Sequence, residues 1–177
     1  MADRLKLRAR DAADLETIAA CVQDALVPLA DMRYLPEDRR FALMLNRFRW
    51  EAAPAAPAEH APVEGDAAFA DAQGEGLERV HAALVFDRVR SVKRRGLTEA
   101  AKGGMLSLLT LGYEGRQVII SFAGGAAVRL EVDQLSCHLE DLGEAWPTVW
   151  RPRHADDEAA GKGCRPGARR AGQGRSR

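Results

Sequence analysis

Cysteine is scarce in this chain: Cys21, Cys137 and Cys164 are the only three in 177 residues. The number is odd, the spacings are wide and no two form a paired motif, which argues against a disulfide scaffold and against a cysteine zinc site. Cys21 and Cys137 fall in regular elements and read as small core hydrophobes in a reducing compartment. Histidine is almost as sparse, with only His60, His81, His138 and His154. No apolar run approaches the roughly 20 residues of a membrane-crossing helix, and the first residues carry no apolar signal region. The expectation is a cytoplasmic protein without a membrane partner. No serine stands in a nucleophile-elbow sequence, and Gly124-Gly125 lacks the strand-to-helix context of a phosphate-binding loop.

Net charge is also missing, since the formal balance is +0. That zero hides an asymmetry. Residues 161–177 hold six basic residues and no acid, which leaves residues 1–160 with 20 basic against 26 acidic, a net of −6. An acidic body disfavours a dedicated nucleic-acid surface, although a local basic stripe can override the average. Hydrophobic residues at 46% and charged residues at 29% are those of a globular chain, and its length suits one good core.

The densest pattern lies between Met105 and Leu139. Val118, Ile120 and Phe122 share one strand face at period two, and Val128, Leu130 and Val132 repeat the pattern. Glu114-Gly115 and Gly124-Gly125 stand between these runs as two-residue turns, the second with glycines suited to the positive φ of a type I′ hairpin. An antiparallel meander of three strands is predicted. Leu135, Cys137 and Leu139 continue in opposite parity, so a turn or bulge at Asp133-Gln134 leads into a fourth strand.

Upstream, Leu5 and Leu7 alternate in a short edge strand. Asp11 is a plausible N-cap for an amphipathic helix over residues 12–25, with Leu15, Ile18, Ala19, Val22 and Leu26 at helical spacing. Leu29 to Tyr34 reads as a short strand and Pro36 to Arg39 as a turn. In Phe41 to Trp50, Phe41, Leu43 and Leu45 have one parity and Phe48 and Trp50 the other, so either a bulge near Asn46-Arg47 gathers them on one face or the strand is apolar on both faces over part of its length. Glu51 to Gly76, rich in Ala and Pro, is a flexible insertion over residues 51–77. The strands on either side match in type from Ala42–Arg49 to Ala83–Arg90 and are expected to pair as a hairpin, an internal duplication being the other explanation. Val80, Ala82, Leu84 and Phe86 point inward, and the strand bends near Arg88. Lys93 to Gly96 and Lys102 to Gly104 bracket a loop. Asp141 to Glu144 breaks regularity, Trp146 and Trp150 anchor the chain over an open end of the sheet, and residues 155–177 form a disordered basic tail.

Few side chains suggest chemistry. His138 and Glu140 share a strand face with Asp141 nearby, the closest approach to a metal-ligand set or an oriented base. The bland reading, an exposed histidine beside a surface acid, applies there and at His81. Arg88, Arg90, Lys93, Arg94 and Arg95, joined across the hairpin by Arg47 and Arg49, would form a basic edge able to contact phosphates or simply to block unwanted strand pairing. No catalytic residue set, metal site or cofactor site is assigned.

Several longer words stand in order along the chain: Gln23-Asp24-Ala25-Leu26-Val27-Pro28, Asp31-Met32 to Tyr34-Leu35-Pro36, Arg40-Phe41 continuing to Leu45-Asn46-Arg47-Phe48-Arg49-Trp50, Phe122-Ala123-Gly124-Gly125, and Leu139-Glu140-Asp141-Leu142-Gly143-Glu144-Ala145-Trp146-Pro147. In these the chain resembles DUF2948, an uncharacterised bacterial family found mainly in alphaproteobacteria, from about Leu5 to His154. The resemblance implies no activity, and the tail beyond His154 departs from it.

Taken together, the residues predict a single α+β domain over residues 1–154. Its curved, largely antiparallel sheet or partial barrel of seven or eight strands, pleckstrin-homology-like or of another split-barrel kind, would be covered by one N-terminal helix. The function expected is a non-catalytic protein-interaction or accessory module with a protein partner. The alternatives are a nucleic-acid-binding protein using the basic edge and an enzyme or metal protein centred on His138.

Overall fold

The computed structural model describes residues 4–53, 76–97 and 104–149. The insertion and the basic tail expected from the sequence fall largely outside these residues, as do Trp150, His60, His154 and Cys164. Among these residues ten strands and one α-helix follow in the order β1 (Lys6–Ala9), α1 (Ala12–Val22), β2 (Leu26–Pro28), β3 (Met32–Leu35), β4 (Arg40–Phe48), β5 (Glu78–Phe86), β6 (Val89–Arg95), β7 (Met105–Glu114), β8 (Gln117–Phe122), β9 (Ala127–Val132) and β10 (Cys137–Pro147). Ten exceeds the seven or eight expected, because β2 is too short for its alternation to be legible and β6 runs where a bend and loop are expected. The strands form one open antiparallel sheet in the order β1-β10-β5-β4-β2-β7-β8-β9-β6, with β3 beside the first half of β4. No helix among the described residues is long and apolar enough to cross a membrane.

The helix begins where expected: the Asp14 amide donates to Asp11 Oδ1 at 2.9 Å, satisfying one of the free N–H groups of the first turn. Leu15, Ile18 and Val22 are buried, and α1 packs on β7, β1 and β4. It ends at Val22, short of residue 25. Asp24 takes a positive φ of 56°, its amide bonds the Leu108 carbonyl at 2.9 Å, and the Leu108 amide bonds the Ala25 carbonyl at 2.9 Å. Pairing with β7 thus captures Leu26, which the helical spacing alone would have kept in the helix.

The meander is present as β7, β8 and β9. The first turn falls one residue later than predicted, at Gly115 and Arg116 with φ of 52° and 73°. Gly124 and Gly125 take the expected positive φ of 77° and 79°, but within a longer turn that ends with the Phe122 amide on the Ala126 carbonyl at 2.9 Å. The fourth strand then leaves the meander. Asp133 to Ser136 carry the chain across the molecule, and β10 inserts between β1 and β5. It continues through Asp141–Glu144 with a register shift between Leu142 and Trp146, where Gly143 has φ 79°. Lys93 to Arg95 belong to β6 and pair with β9 as far as Ala127, so the loop expected there begins only at Gly96.

β4 and β5 pair as the predicted hairpin without a shift from Phe41↔Phe86 to Phe48↔Arg79. There is therefore no bulge at Asn46-Arg47, and β4 is instead apolar on both faces over part of its length. With the period unbroken, Arg47 follows Phe41, Leu43 and Leu45 onto the core face, and Phe48 is buried on the other, its ring 4.6 Å from that of Trp50. One core cluster runs continuously from Leu43, Leu84 and Leu139 to Ile120 and Leu130. Burial of these side chains, each contributing about 1.5–3 kcal/mol, is what holds the curved sheet and α1 together.

The β5–β6 corner positions the sites described next. Asp87 and Arg88 join strands that do not pair, and Arg88 turns the chain with φ 62°. Three connections converge here: the Asp87 amide bonds the Ser136 carbonyl at 2.9 Å, the Val89 amide the Arg39 carbonyl at 2.7 Å, and the Asp133 amide the Arg88 carbonyl at 3.1 Å.

Candidate functional site

The sequence suggests two residue sets, and the fold redistributes both. Asp141 points inward, away from His138. Both of its oxygens face Arg47, which donates from Nε to Oδ1 at 2.7 Å and from Nη2 to Oδ2 at 2.7 Å. Arg47 also donates to Glu51 from Nη2 at 2.7 Å and from Nη1 at 3.0 Å. Arg47 on β4 and Asp141 on β10 flank β5, and in register Asp141 lies across from Ala82 and Arg47 from Val80. The small side chain of Ala82 leaves room for the guanidinium to cross. The Arg47 side chain is 0% exposed and that of Asp141 3%. Burial opposes a charge on Arg47, but the bonds from Asp141 and Glu51 outweigh it and drive its pKa upward. Burial likewise opposes the Glu51 carboxylate, and the same bonds override it and lower its pKa. All three ions are matched within the fold, so the network is structural.

Of the other members of the expected basic edge, Arg49 pairs with Glu78 at 2.5 Å and Arg90 with Asp133, which Arg39 also holds. Lys93, Arg94 and Arg95 stay exposed on β6, a strand at the end of the sheet order. Lys93 lies directly opposite Arg129 of β9, a like-charge cross-strand pair. Ser91 and Glu131 bond each other at the near end at 3.1 Å.

Glu140 takes Lys6 of β1 at 3.0 Å. His138 sits opposite Arg8 in the β1–β10 register and accepts its Nε–H on Nδ1 at 3.2 Å. The proton of the neutral ring is therefore on Nε2, which faces Asp87 Oδ2 at 3.3 Å, while Arg40 donates to Asp87 Oδ1 at 2.7 Å. His81 is exposed and lies against Trp146, the ring centroids 4.4 Å apart and the planes tilted by 45°. Among the described residues no group of three His, Cys, Asp or Glu is placed to hold a metal ion.

His138 and Arg88, one from each suggested set, meet in a solvent-open cleft of about 460 Å³. Arg8, Arg10, Gln134 and Ser136 complete its polar lining. Arg88 donates from Nη1 to Gln134 Oε1 at 2.7 Å, and the Arg10 amide is fixed by Asp14 Oδ2 at 3.2 Å. Arg8 and Arg10 carry no local signal beyond being basic residues around an edge strand. Only the pairing of β1 with β10, 130 residues apart at Arg8 and His138, brings them to the site.

Fold and surfaces define a class: a curved antiparallel β protein with one helix, a basic free edge and an arginine-lined cleft. The chain belongs to the family described as Protein of unknown function (DUF2948), which matches residues 5–154. No curated protein and no solved structure matches it.

Proposed function

We propose that this protein is a non-catalytic interaction module that takes an extended acidic segment of a protein partner along β6. The observation that carries this reading is the pairing of Lys93 with Arg129 beside exposed Arg94 and Arg95. Like charges directly opposite each other on adjacent strands are destabilising, and no described acid pairs with these four. Tyr34 Oη donates to the Arg90 carbonyl at 2.9 Å, and beyond that point no described strand pairs with the outer side of β6. An edge of one charge repels a copy of itself and accepts a strand of the opposite charge. Such a strand gains backbone hydrogen bonds as well as charge contacts, which a nucleic acid cannot match. Cys21 and Cys137, the described cysteines, are free thiols in regular structure, as suits a reducing, cytoplasmic setting.

The test is affinity purification of the full chain from its native cells at physiological salt, with nuclease on half the sample, followed by amide exchange on the recovered complex. The expected result is a nuclease-resistant protein partner whose binding slows exchange in β6 and is lost when Lys93, Arg94 and Arg95 are all changed to Glu. Recovery that depends on nucleic acid, or protection confined to other strands, contradicts the proposal.

A further inference from the structure

The arginine cleft is separate from the β6 edge and has its own unanswered charge. We infer that it binds the phosphate dianion of a small phosphomonoester, with Arg8, Arg10 and Arg88 as the anion-holding groups. Arg8 spends its Nε–H on His138, which leaves both of its terminal nitrogens for a ligand. Arg88 spends one Nη1 bond on Gln134 and retains its other donors. The Arg10 guanidinium has no ion pair among the described residues, and no carboxylate lines the cleft.

Three guanidiniums around one open space repel each other, and a dianion placed among them converts that repulsion into charge-assisted hydrogen bonds. A carboxylate offers two oxygens and one charge, which leaves one of the three arginines unmatched. A phosphate offers three terminal oxygens and up to two charges at neutral pH. A volume of about 460 Å³ lies within the roughly 300–1,000 Å³ range of small-molecule sites and leaves room for the group esterified to the phosphate.

The donors are also held in place before any ligand arrives. His138 anchors Arg8 and is itself braced by Asp87, which Arg40 fixes from the other side. The Asp87 amide clamps the Ser136 carbonyl, tying the wall formed by residues 134–136 to the corner that carries Arg88. Arg88 keeps a left-handed backbone at the corner, unfavourable for a residue with a Cβ, and its side chain lines the cleft. His138 is a positioning residue here, acting through Arg8.

The experiment is a titration of the full chain with inorganic phosphate, glycerol phosphate and acetate, followed by backbone and arginine Nε magnetic resonance. Saturable shifts are expected at Arg8, Arg10 and Arg88 and across residues 134–138, with glycerol phosphate at least equal to phosphate and acetate far weaker. Arg10→Gln and Arg88→Gln, both exposed positions, should each weaken binding about tenfold or more with the remaining spectrum unchanged. His138→Ala should weaken binding and move the Arg8 Nε signal most. Non-saturable shifts, shifts equally large at Lys93–Arg95, or acetate binding as well as phosphate would overturn the inference. Because the readout is by residue, failure here and failure of the β6 proposal are seen separately.

Discussion

At the scale of single residues, the Arg47–Asp141 pair carries the largest consequence. Asp141→Ala leaves a buried guanidinium with only half-exposed Glu51, and the expected loss is roughly 3–5 kcal/mol by denaturant unfolding. Arg47→Met combined with Asp141→Leu should regain most of that loss, because a well-packed apolar pair can replace a buried ion pair of similar volume. If the double variant were as unstable as the single one, the network would be doing more than filling the end of the core. Cys137 gives a second test. Its burial, with Asp87 adding a smaller push, drives the thiol far above its ordinary pKa. Peptide mapping after alkylation at neutral pH should find Cys137 unmodified in the folded protein and labelled on unfolding. The burial of Cys137 is legible in the sequence, where it reads as a small core hydrophobe, whereas the role of Arg47 is not. From the sequence Arg47 reads as a member of the exposed basic edge, because the residue that explains its burial, Asp141, lies 94 positions away.

Elements were legible in proportion to how locally they are determined. The capped helix, the β4–β5 hairpin and the three strands of the meander follow from periodicity and turn chemistry within short windows. β2 has three residues and no period to read, and exists because Leu26, Val27 and Pro28 meet Ser107, Leu106 and Met105. The destination of β10 was equally hidden, since Cys137 and Leu139 alternate the same way whether the strand joins β9 or β5. The candidate cleft shares that limit: its arginines come from β1, the segment after it and a corner, and only non-local pairing unites them. The β7–β8 turn yields a prediction at this scale. Arg116 holds a positive φ of 73° that glycine adopts without a Cβ clash, so Arg116→Gly should raise stability by up to about 1 kcal/mol in chemical denaturation. A loss of stability would mean that the Arg116 side chain makes a contact that outweighs the backbone cost.

For the whole molecule, ion pairs between distant segments tie stability to pH. Burial notwithstanding, Arg47 holds the Glu51 pKa below its ordinary 4.5, and Arg39 with Arg90 holds Asp133 below its ordinary 3.8. A carboxylate with a depressed folded pKa contributes stability that is fully present above its unfolded value and is lost as pH falls through the folded one. Thermal unfolding should therefore be insensitive to these groups at neutral pH and decline only below about pH 4.5, with Glu51→Gln reducing the steepness of that decline. A decline already complete above that pH would assign acid sensitivity to other groups. The same long-range closure also bears on biosynthesis. Lys6 meets Glu140 across 134 positions, so at ~5–20 residues per second the first strand leaves the ribosome about 7–27 s before the last strand can receive it. Through that interval a nascent chain displays β1 unpaired and α1 without its full sheet. Of the described strands, β1 is the one a chaperone would meet unpaired longest.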